Sequence, residues 1–311
     1  MKRLFFITMV AFSLVACNQW QCEKCKTSNE EEQCESNEKR CNKCCSEEGE
    51  KQLNISILLD LSDRISPKIN PDAQKNDIEN IKTITEFFRA NMRRLNAYNA
   101  KGKIRVFLVP PPNDVDINST VSKLIFDCSE MKNEGRKKVY DNLTELYTQN
   151  LDEIYKETIA TSTWKEGSDI WGFFKDGVHR CIEKDTNYRN ILIILTNGYL
   201  WANGRTDTKL TNTTSIQPKY LTKWHSNPDS WDKEKESINI KTIRDDLQDL
   251  EILVLGIKAD SPKNKIDEDI LIYLWEKWFK EMGVKEGNYK ILTSDLPSTL
   301  ETDIKNFLNS K

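Results

Sequence analysis

Residues 53–64 read LNISILLDLSDR, a short apolar run that ends in an aspartate and a polar turn. Apolar side chains along most of such a run are typical of a central strand that is buried on both faces of a sheet. The run NILIIL at 190–195 has the same character, and Thr196, Asn197 and Gly198 follow it. These two runs predict central strands with polar residues at their carboxyl ends.

The remainder of residues 52–311 alternates short apolar runs with longer amphipathic stretches. This alternation predicts an α/β fold: a doubly wound, mostly parallel central sheet with helices on both faces and one antiparallel edge strand. Further strands are predicted at 103–109, 121–127 (the edge strand), 251–257 and 289–292. Helices are predicted at 72–95, 136–160, 170–183, 237–250, 270–282 and 296–308.

The chain opens with MKRLFFITMVAFSLVAC, which predicts export. Lys2 and Arg3 precede an apolar stretch at 4–15 that is shorter than the roughly 20 residues of a bilayer-spanning helix, so we expect cleavage of residues 1–16. The LVAC ending resembles a bacterial lipobox, which implies that Cys17 receives a lipid and becomes the first residue. An ordinary signal peptide that ends near a cysteine stays the alternative.

A lipid on Cys17 would hold the protein at a membrane of the bacterial cell envelope. Asn18 follows it, rather than the aspartate that this resemblance links to inner-membrane retention, which favours the outer membrane. The leader carries Lys2 and Arg3 and no acidic residue, so its removal changes the formal net charge from −3 to −5. An acidic chain argues against nucleic acid as a partner.

Residues 17–51 are rich in charged and amide side chains and contain almost no apolar residue besides Trp20, which predicts a disordered tether. Two C-x2-C pairs in it, separated by fifteen residues, have the spacing of a four-thiolate zinc site. Export favours disulfides instead, and free thiols stay open as a third state. The tether cysteines are Cys22, Cys25, Cys34, Cys41, Cys44 and Cys45.

Few features of the sequence point to an enzyme. The chain has 2 histidines and lacks a nucleophile elbow, a phosphate-cradling glycine loop and a paired-histidine metal motif. An aspartate-based phosphohydrolase with Asp60 as nucleophile is the enzymatic alternative. Enzymes of the haloacid dehalogenase type have a second aspartate two residues later, where this chain has Ser62. We therefore predict a protein that is not an enzyme.

Three polar motifs are expected at one edge of the sheet: Asp60-Leu61-Ser62, Gly167-Ser168-Asp169 and Asn197-Gly198. With the order of the elements, they resemble the von Willebrand factor type A domain over nearly all of residues 52–311. The resemblance implies a metal-ion-dependent adhesion site. There, oxygen ligands hold a divalent cation (Mg²⁺, or Mn²⁺ or Ca²⁺), and a carboxylate of the partner completes its coordination.

The metal ligands that the resemblance implies are Asp60, Ser62, Ser168 and Asn197. Asp60 and Ser62 match the first two positions of the family's D-x-S-x-S motif. Ser168 replaces the usual threonine, and Asn197 replaces the common aspartate and so loses a charge. Arg64 departs from the motif at its second serine, because a guanidinium cannot ligate a cation and opposes one nearby.

Three interpretations of the site stay open at the level of sequence. Asp63 or Asp169 could supply a second carboxylate to a functional metal site. Arg64 could instead pair with Asp60 and take the place of the cation, which leaves a metal-free site that still binds a partner. In the third interpretation Asp60 and Ser62 only cap a turn, and the protein is a structural lipoprotein with a vestigial site.

A long segment at 199–236 follows the strand 190–195 and is predicted to be a loop insertion above the site. It carries Trp201, Trp224 and Trp231 among several lysines and arginines. Exposed aromatic and cationic side chains suit recognition of a protein or glycan surface, so these tryptophans are the predicted partner-binding residues. The alternative is that the rings pack the segment onto its own domain.

Overall fold

The computed structural model describes residues 50–161, 165, 167–205, 207 and 209–310. The predicted leader, the lipidated Cys17 and the cysteine-rich tether up to residue 49 lie outside these residues, and the predictions about them stay predictions. In the part of the chain that the structure describes, no helix combines the length and hydropathy that crossing a bilayer requires.

Within the described residues, six strands form one sheet in the order β3-β2-β1-β5-β7-β8. Neighbouring strands are parallel except β2 and β3, which are antiparallel. A separate two-stranded ribbon pairs β4 with β6. The predicted fold class is thereby confirmed. The strands are β1 (Gln52–Asp60), β2 (Lys103–Val109), β3 (Ile125–Asp127), β4 (Gly167–Ser168), β5 (Tyr188–Leu195), β6 (Trp201–Ala202), β7 (Leu250–Ile257) and β8 (Tyr289–Thr293).

Helices cover both faces of the sheet, and alternate side chains of each central strand reach opposite layers. In β1, Ile55 and Ile57 join the cluster beneath α1, α3 and α8, whereas Leu58 joins the cluster beneath α4, α5 and α7. Residues 50–311 form one compact unit that contains both clusters. The helices are α1 (Ala73–Arg94), α2 (Val115–Ser122), α3 (Asn133–Thr161), α4 (170–181), α5 (Pro218–His225), α6 (Asp229–Glu234), α7 (Ile266–Glu281) and α8 (Pro297–Asn309).

Helix α4 is irregular where a continuous helix was predicted at 170–183. It begins as one α-helical turn at Ile170–Gly172, continues as a π-helix at Phe173–Gly177 and ends as a 3₁₀-helix at Val178–Cys181. Helix α4 therefore packs on the sheet through three short segments in place of one amphipathic face.

The edge strand is shorter than the predicted 121–127, because α2 takes up the first residues of that stretch.

The prediction of a helix at 237–250 is wrong. A short 3₁₀ turn ends at Ser237, and the chain then runs without helix to β7. Ile240 forms an isolated parallel bridge with Thr213, and the carbonyl of Lys241 accepts a hydrogen bond from the indole of Trp171 at 2.9 Å. These long-range contacts give the spaced apolar residues of the stretch a place in the core without a helix.

The segment 199–236 folds as β6, α5 and α6 and packs against α7. Trp224 is fully buried and Trp231 is nearly so, and their rings meet edge to face with centroids 4.9 Å apart. Trp231 in turn contacts Tyr273 of α7 at 5.4 Å. The prediction that Trp224 and Trp231 bind a partner is therefore wrong, because their surfaces are used inside the domain. Trp201 is partly exposed, and its prediction stands untested.

Candidate functional site

The strand order reverses between β1 and β5. The chain leaves β1 towards β2 on one side, whereas β5 lies on the other side and continues to β7 and β8. In open α/β sheets, ligands bind outside the carboxyl ends of the strands at such a point. A cleft of about 150 Å³ lies there. The residues that line it include Ser62, Asp63, Ser168, Asn197, Trp201 and Asp260.

Asp60 ends β1, is fully buried and does not line this cleft. One carboxylate oxygen accepts a hydrogen bond from the backbone amide of Ser62 at 2.9 Å. The other accepts one from the Thr196 hydroxyl at 2.7 Å and lies 3.7 Å from Nε of Arg64. Both oxygens therefore already have partners within the fold.

Arg64 lies beneath the cleft, with its side chain directed into the fold. Its Nε donates to the backbone carbonyl of Asp60 at 2.8 Å, and its Nη2 donates to the carbonyl of Leu195 at 3.0 Å. The same Nη2 pairs with the carboxylate of Asp77 on α1 at 2.7 Å, and the hydroxyl of Tyr155 on α3 donates to that carboxylate at 2.5 Å. Arg64 thus ties the ends of β1 and β5 to two helices.

The charge on Arg64 is secure. Burial by itself would lower the pKa of the guanidinium, but the carboxylates of Asp77 and Asp60 raise that pKa above its ordinary value. Burial, followed by the charge of Asp77, raises the pKa of Tyr155 well above its ordinary value, so the phenol stays a neutral donor. One guanidinium therefore faces two carboxyl groups, and Arg64 offsets the charge of Asp60 from inside the fold.

Ser168 forms one wall of the cleft. The residue is 4% exposed, and its hydroxyl oxygen has no hydrogen-bond partner among the described residues. The ribbon of β4 and β6 places Ser168 opposite Trp201. The preceding residue, Gly167, has φ of +85°, and a Cβ there would lie 2.3 Å from the Trp201 ring, so this close approach needs glycine. The wall therefore combines an unsatisfied hydroxyl with an aromatic ring.

Two carboxylates stand at the rim of the cleft, Asp63 after β1 and Asp260 after β7. Both side chains reach solvent. Loss of water around the carboxyl group, together with the charges of Asp60 and Asp260, raises the pKa of Asp63. The described residues that line the cleft include no lysine or arginine. The acidic residues Asp63 and Asp260 are therefore not offset by a cationic residue in the described lining of the cleft.

Asn197 and Asp169, which were also predicted as possible metal ligands, lie in different surroundings. Asn197 lines the cleft, but its side-chain oxygen already accepts from the amide of Tyr199 at 3.3 Å. Asp169 accepts from the amide of Gly172 at 2.9 Å and pairs with Arg205. The expectation that Asp169 could add a carboxylate to the site is wrong, because its charge is used by Arg205.

Asp260 and a buried network behind the cleft were missed at the level of sequence. The hydroxyl of Tyr199 accepts from the amide of Asp260 at 3.1 Å and donates to the buried Asp267 at 3.0 Å. Asp267 lies 2.8 Å from a ring nitrogen of His225. Asp260 follows the carboxyl end of a central strand, and that position was the signal that could have found it.

No protein-family model and no curated protein matches the sequence. Similar solved structures include proximal thread matrix protein 1 from the mussel byssus with a zinc-occupied MIDAS motif, at 10% identity and a TM-score of 0.39. The match covers 84% of this chain and 48% of that one, so this chain spans about half its length. Another is an aerotolerance-related membrane protein from Bacteroides fragilis NCTC 9343 with multiple mutations to serines, at 15% identity, a TM-score of 0.37, and coverage of 84% and 100%. Scores this low carry no argument, and the fold class rests on the strand order itself.

Proposed function

We propose that this chain is an exported, lipid-anchored binding module of the bacterial cell envelope, with the outer membrane as its location. Its cleft between the ends of β1 and β5 recognises a macromolecular partner, either a protein or a glycan. The observation that carries the proposal is the buried and unpartnered hydroxyl of Ser168 in the wall of a cleft that also holds Asp63 and Asp260.

The unpartnered hydroxyl favours a binding site over a vestigial one because of its place in the cleft wall. The other buried polar atoms without a partner among the described residues belong to Ser56, Asn80, Trp224 and Trp278, which do not line the cleft. A buried polar group without a partner costs about 1–3 kcal/mol of stability. Asp63 adds to this cost, because its ionised form is disfavoured by its surroundings. A ligand that donates hydrogen bonds or brings positive charge would relieve both. At a cleft, such groups are candidates for contact with a ligand.

The state of Asp60 supports a protein that is not an enzyme. The phosphohydrolase alternative needs an accessible aspartate as nucleophile. Asp60 is fully buried, and its oxygens accept from Ser62 and Thr196 and face Arg64. A substrate would have to displace these partners before attack.

A divalent cation, Mg²⁺, Mn²⁺ or Ca²⁺, is the cofactor that the type A resemblance implies. The carboxylate that the motif offers is Asp60, whose oxygens have partners and which has the charge of Arg64 at 3.7 Å. Ser62, Ser168 and Asn197 offer neutral oxygens, whereas such ions take carboxylates among their ligands. In the described residues no group of three His, Cys, Asp or Glu side chains is arranged for a metal. The motif positions do not fit a resident cation, and we propose binding without one.

A photo-crosslinking amino acid tests the proposed binding surface in the producing cell. We would place it at Trp201 in the cleft wall of the full-length exported protein. The control is the same substitution at Tyr98, an aromatic residue that is 52% exposed in the turn before β2, at the opposite edge of the sheet. Both positions carry an aromatic ring, so the two variants are matched in chemistry.

We expect a discrete crosslinked product with a macromolecule from position 201 and none from position 98. A further substitution at Gln217, which also lines the cleft, should give the same product. Equal products from positions 201 and 98, or no product from either cleft position, would contradict the proposal.

A further inference from the structure

We infer that the cleft binds the positively charged side chain of a lysine or arginine on the partner. The inference rests on the proposed function, since it assumes that this cleft is the partner-binding site, and it names the chemistry that the cleft selects. The charge, the hydrogen-bonding capacity and the shape of the cleft all match such a side chain.

The first step is charge. Asp63 and Asp260 stand at the rim, and the described lining residues supply no cation to offset them. Arg64 is the nearest arginine along the chain, but its guanidinium is used by Asp77 and by the carbonyls of Asp60 and Leu195. The rim carboxylates are therefore left for a charge that comes from outside.

The second step is hydrogen bonding. The unpartnered oxygen of Ser168 can accept a hydrogen bond, and Asp63 and Asp260 add carboxylate acceptors at the rim. A lysine ammonium brings three donors and an arginine guanidinium five, and neither brings an acceptor. A cleft rich in acceptors is thus complementary to these side chains, whereas an acidic side chain would meet like charge.

The third step is shape. The lining of the cleft includes apolar and aromatic residues, namely Ile216, Pro218, Tyr199 and Trp201. A lysine or arginine packs its methylene stem on such surfaces while its charged end reaches polar groups. A volume of about 150 Å³ suits a single side chain and leaves the remainder of the partner outside.

The same pairing of cation and aromatic ring occurs elsewhere in this domain. The guanidinium of Arg205 lies 4.5 Å from the ring centroid of Trp171, and the ammonium of Lys223 lies 4.1 Å from that of Trp224. Trp201 is the partly exposed tryptophan of the cleft wall. Trp201 therefore offers an incoming cation an aromatic ring of the kind that stabilises cations in these two contacts.

Amide NMR of isotope-labelled residues 50–311, the compact unit described above, tests the inference directly. The probes are blocked tripeptides with a central lysine or arginine between glycines. Their neutral counterparts carry norleucine or citrulline, which keep the length of the side chain and lose its charge. We expect saturable shifts at Ser168, Trp201 and Asn197 with the charged peptides, and binding at least about tenfold weaker with the neutral ones, since one charge-assisted hydrogen bond is worth about this factor.

Substitutions locate the binding. Asp63→Asn and Asp260→Asn should each weaken binding of the lysine peptide by about tenfold. Asp249→Asn, in an exposed aspartate next to the opposite edge of the sheet, should leave it unchanged. Ser168→Ala should weaken it by a smaller factor. The amide spectrum of each variant without peptide reports whether the fold is kept, and the peptide comparison with the unaltered domain needs no variant.

The outcomes separate this inference from the proposed function. Equal shifts with charged and neutral peptides, shifts away from the cleft, or no binding of any peptide would overturn the inference. Crosslinks from position 201 in that event would still support a cleft that binds a partner of other chemistry. Preference for lysine over arginine, or the reverse, would support the inference and identify the source of the charge.

Discussion

Two buried arginines lie at opposite ends of the strands of the same sheet, which we call its amino edge and its carboxyl edge. At the amino edge, Arg189 at the start of β5 donates two hydrogen bonds to the carboxylate of Glu251 on β7, at 2.8 and 2.7 Å. It also donates to backbone carbonyls at the end of α8. At the carboxyl edge, Arg64 is shared between Asp60 and Asp77 and two strand-end carbonyls. Both side chains are nearly excluded from solvent.

The difference lies in the balance of charge. Among the described residues, Arg189 forms an ion pair with one carboxylate, that of Glu251. Arg64 faces two, and Asp63 and Asp260 lie nearby at the cleft. The amino-edge pair therefore completes a structural joint, whereas the carboxyl edge keeps an excess of negative charge. The buried Arg64 can thus hold the fold together without lining the cleft.

The largest expected effect comes from removal of either guanidinium. Arg64→Met and Arg189→Met should each lower the free energy of unfolding by about 3–5 kcal/mol, because each removes one partner of a buried ion pair. Urea unfolding of residues 50–311 measures the change. Lys285→Met, which removes an exposed pair with Asp249 at 3.7 Å, is the control and should cost less than about 1 kcal/mol. A cost for Arg64→Met no larger than that of the control would break the comparison.

A smaller loss of stability is expected when Tyr155 of α3, which belongs to the same hydrogen-bond network as Arg64, is replaced. Tyr155→Phe removes a donor to the Asp77 carboxylate and should cost about 1.5–3 kcal/mol, the range for bonds to charged groups. Tyr147→Phe, in an equally buried tyrosine of α3 that donates to the Leu124 carbonyl at 2.8 Å, should cost about 0.5–1.5 kcal/mol. Equal costs in urea unfolding would show that Asp77 does not carry the charge that the account gives it.

The smallest expected change in stability comes from replacing Asp63 at the rim of the cleft. The pKa of Asp63 is raised in the folded state, so the ionised carboxylate destabilises the fold at neutral pH. This destabilisation is lost when the carboxyl group is protonated in both the folded and the unfolded state. Asp63→Asn should therefore raise Tm at neutral pH by about 1–2 °C, and the gain should disappear as the pH falls below the ordinary aspartate value. Asp249→Asn serves as the control. A lower Tm for Asp63→Asn at neutral pH would contradict a cleft that keeps unfavourable charge.

The central strands were predictable because burial on both faces leaves continuous apolar runs. The apolar run that begins at Leu53 forms the strand Gln52–Asp60, and the strands predicted at 190–195 and 251–257 are Tyr188–Leu195 and Leu250–Ile257. The topological rule accounts for Ser62 and Asn197 in one cleft, since the carboxyl ends of the parallel strands β1 and β5 lie side by side. Ser168 lies in the separate β4–β6 ribbon and was expected there from the family resemblance.

Long-range contacts decided what the sequence could not. The direction of Arg64 depends on Asp77 and Tyr155, which lie on two helices that the sequence does not place relative to each other. Trp224 and Trp231 are buried because α5 and α6 pack on α7, and composition alone does not distinguish a packed insertion from an exposed loop. The spacing of apolar residues at 237–250 matches the pattern of an amphipathic helix. The chain is not helical there, and Ile240 instead forms a β-bridge with Thr213.

The central claim is that Arg64 withholds Asp60 from any cation and leaves the rim charges for the partner. Calorimetric titration of Mg²⁺, Mn²⁺ and Ca²⁺ into residues 50–311 tests it most directly. We predict no saturable heat with any of the three ions. Saturable binding would contradict the account, and its loss in an Asp60→Asn variant would show that Asp60 ligates the ion despite Arg64.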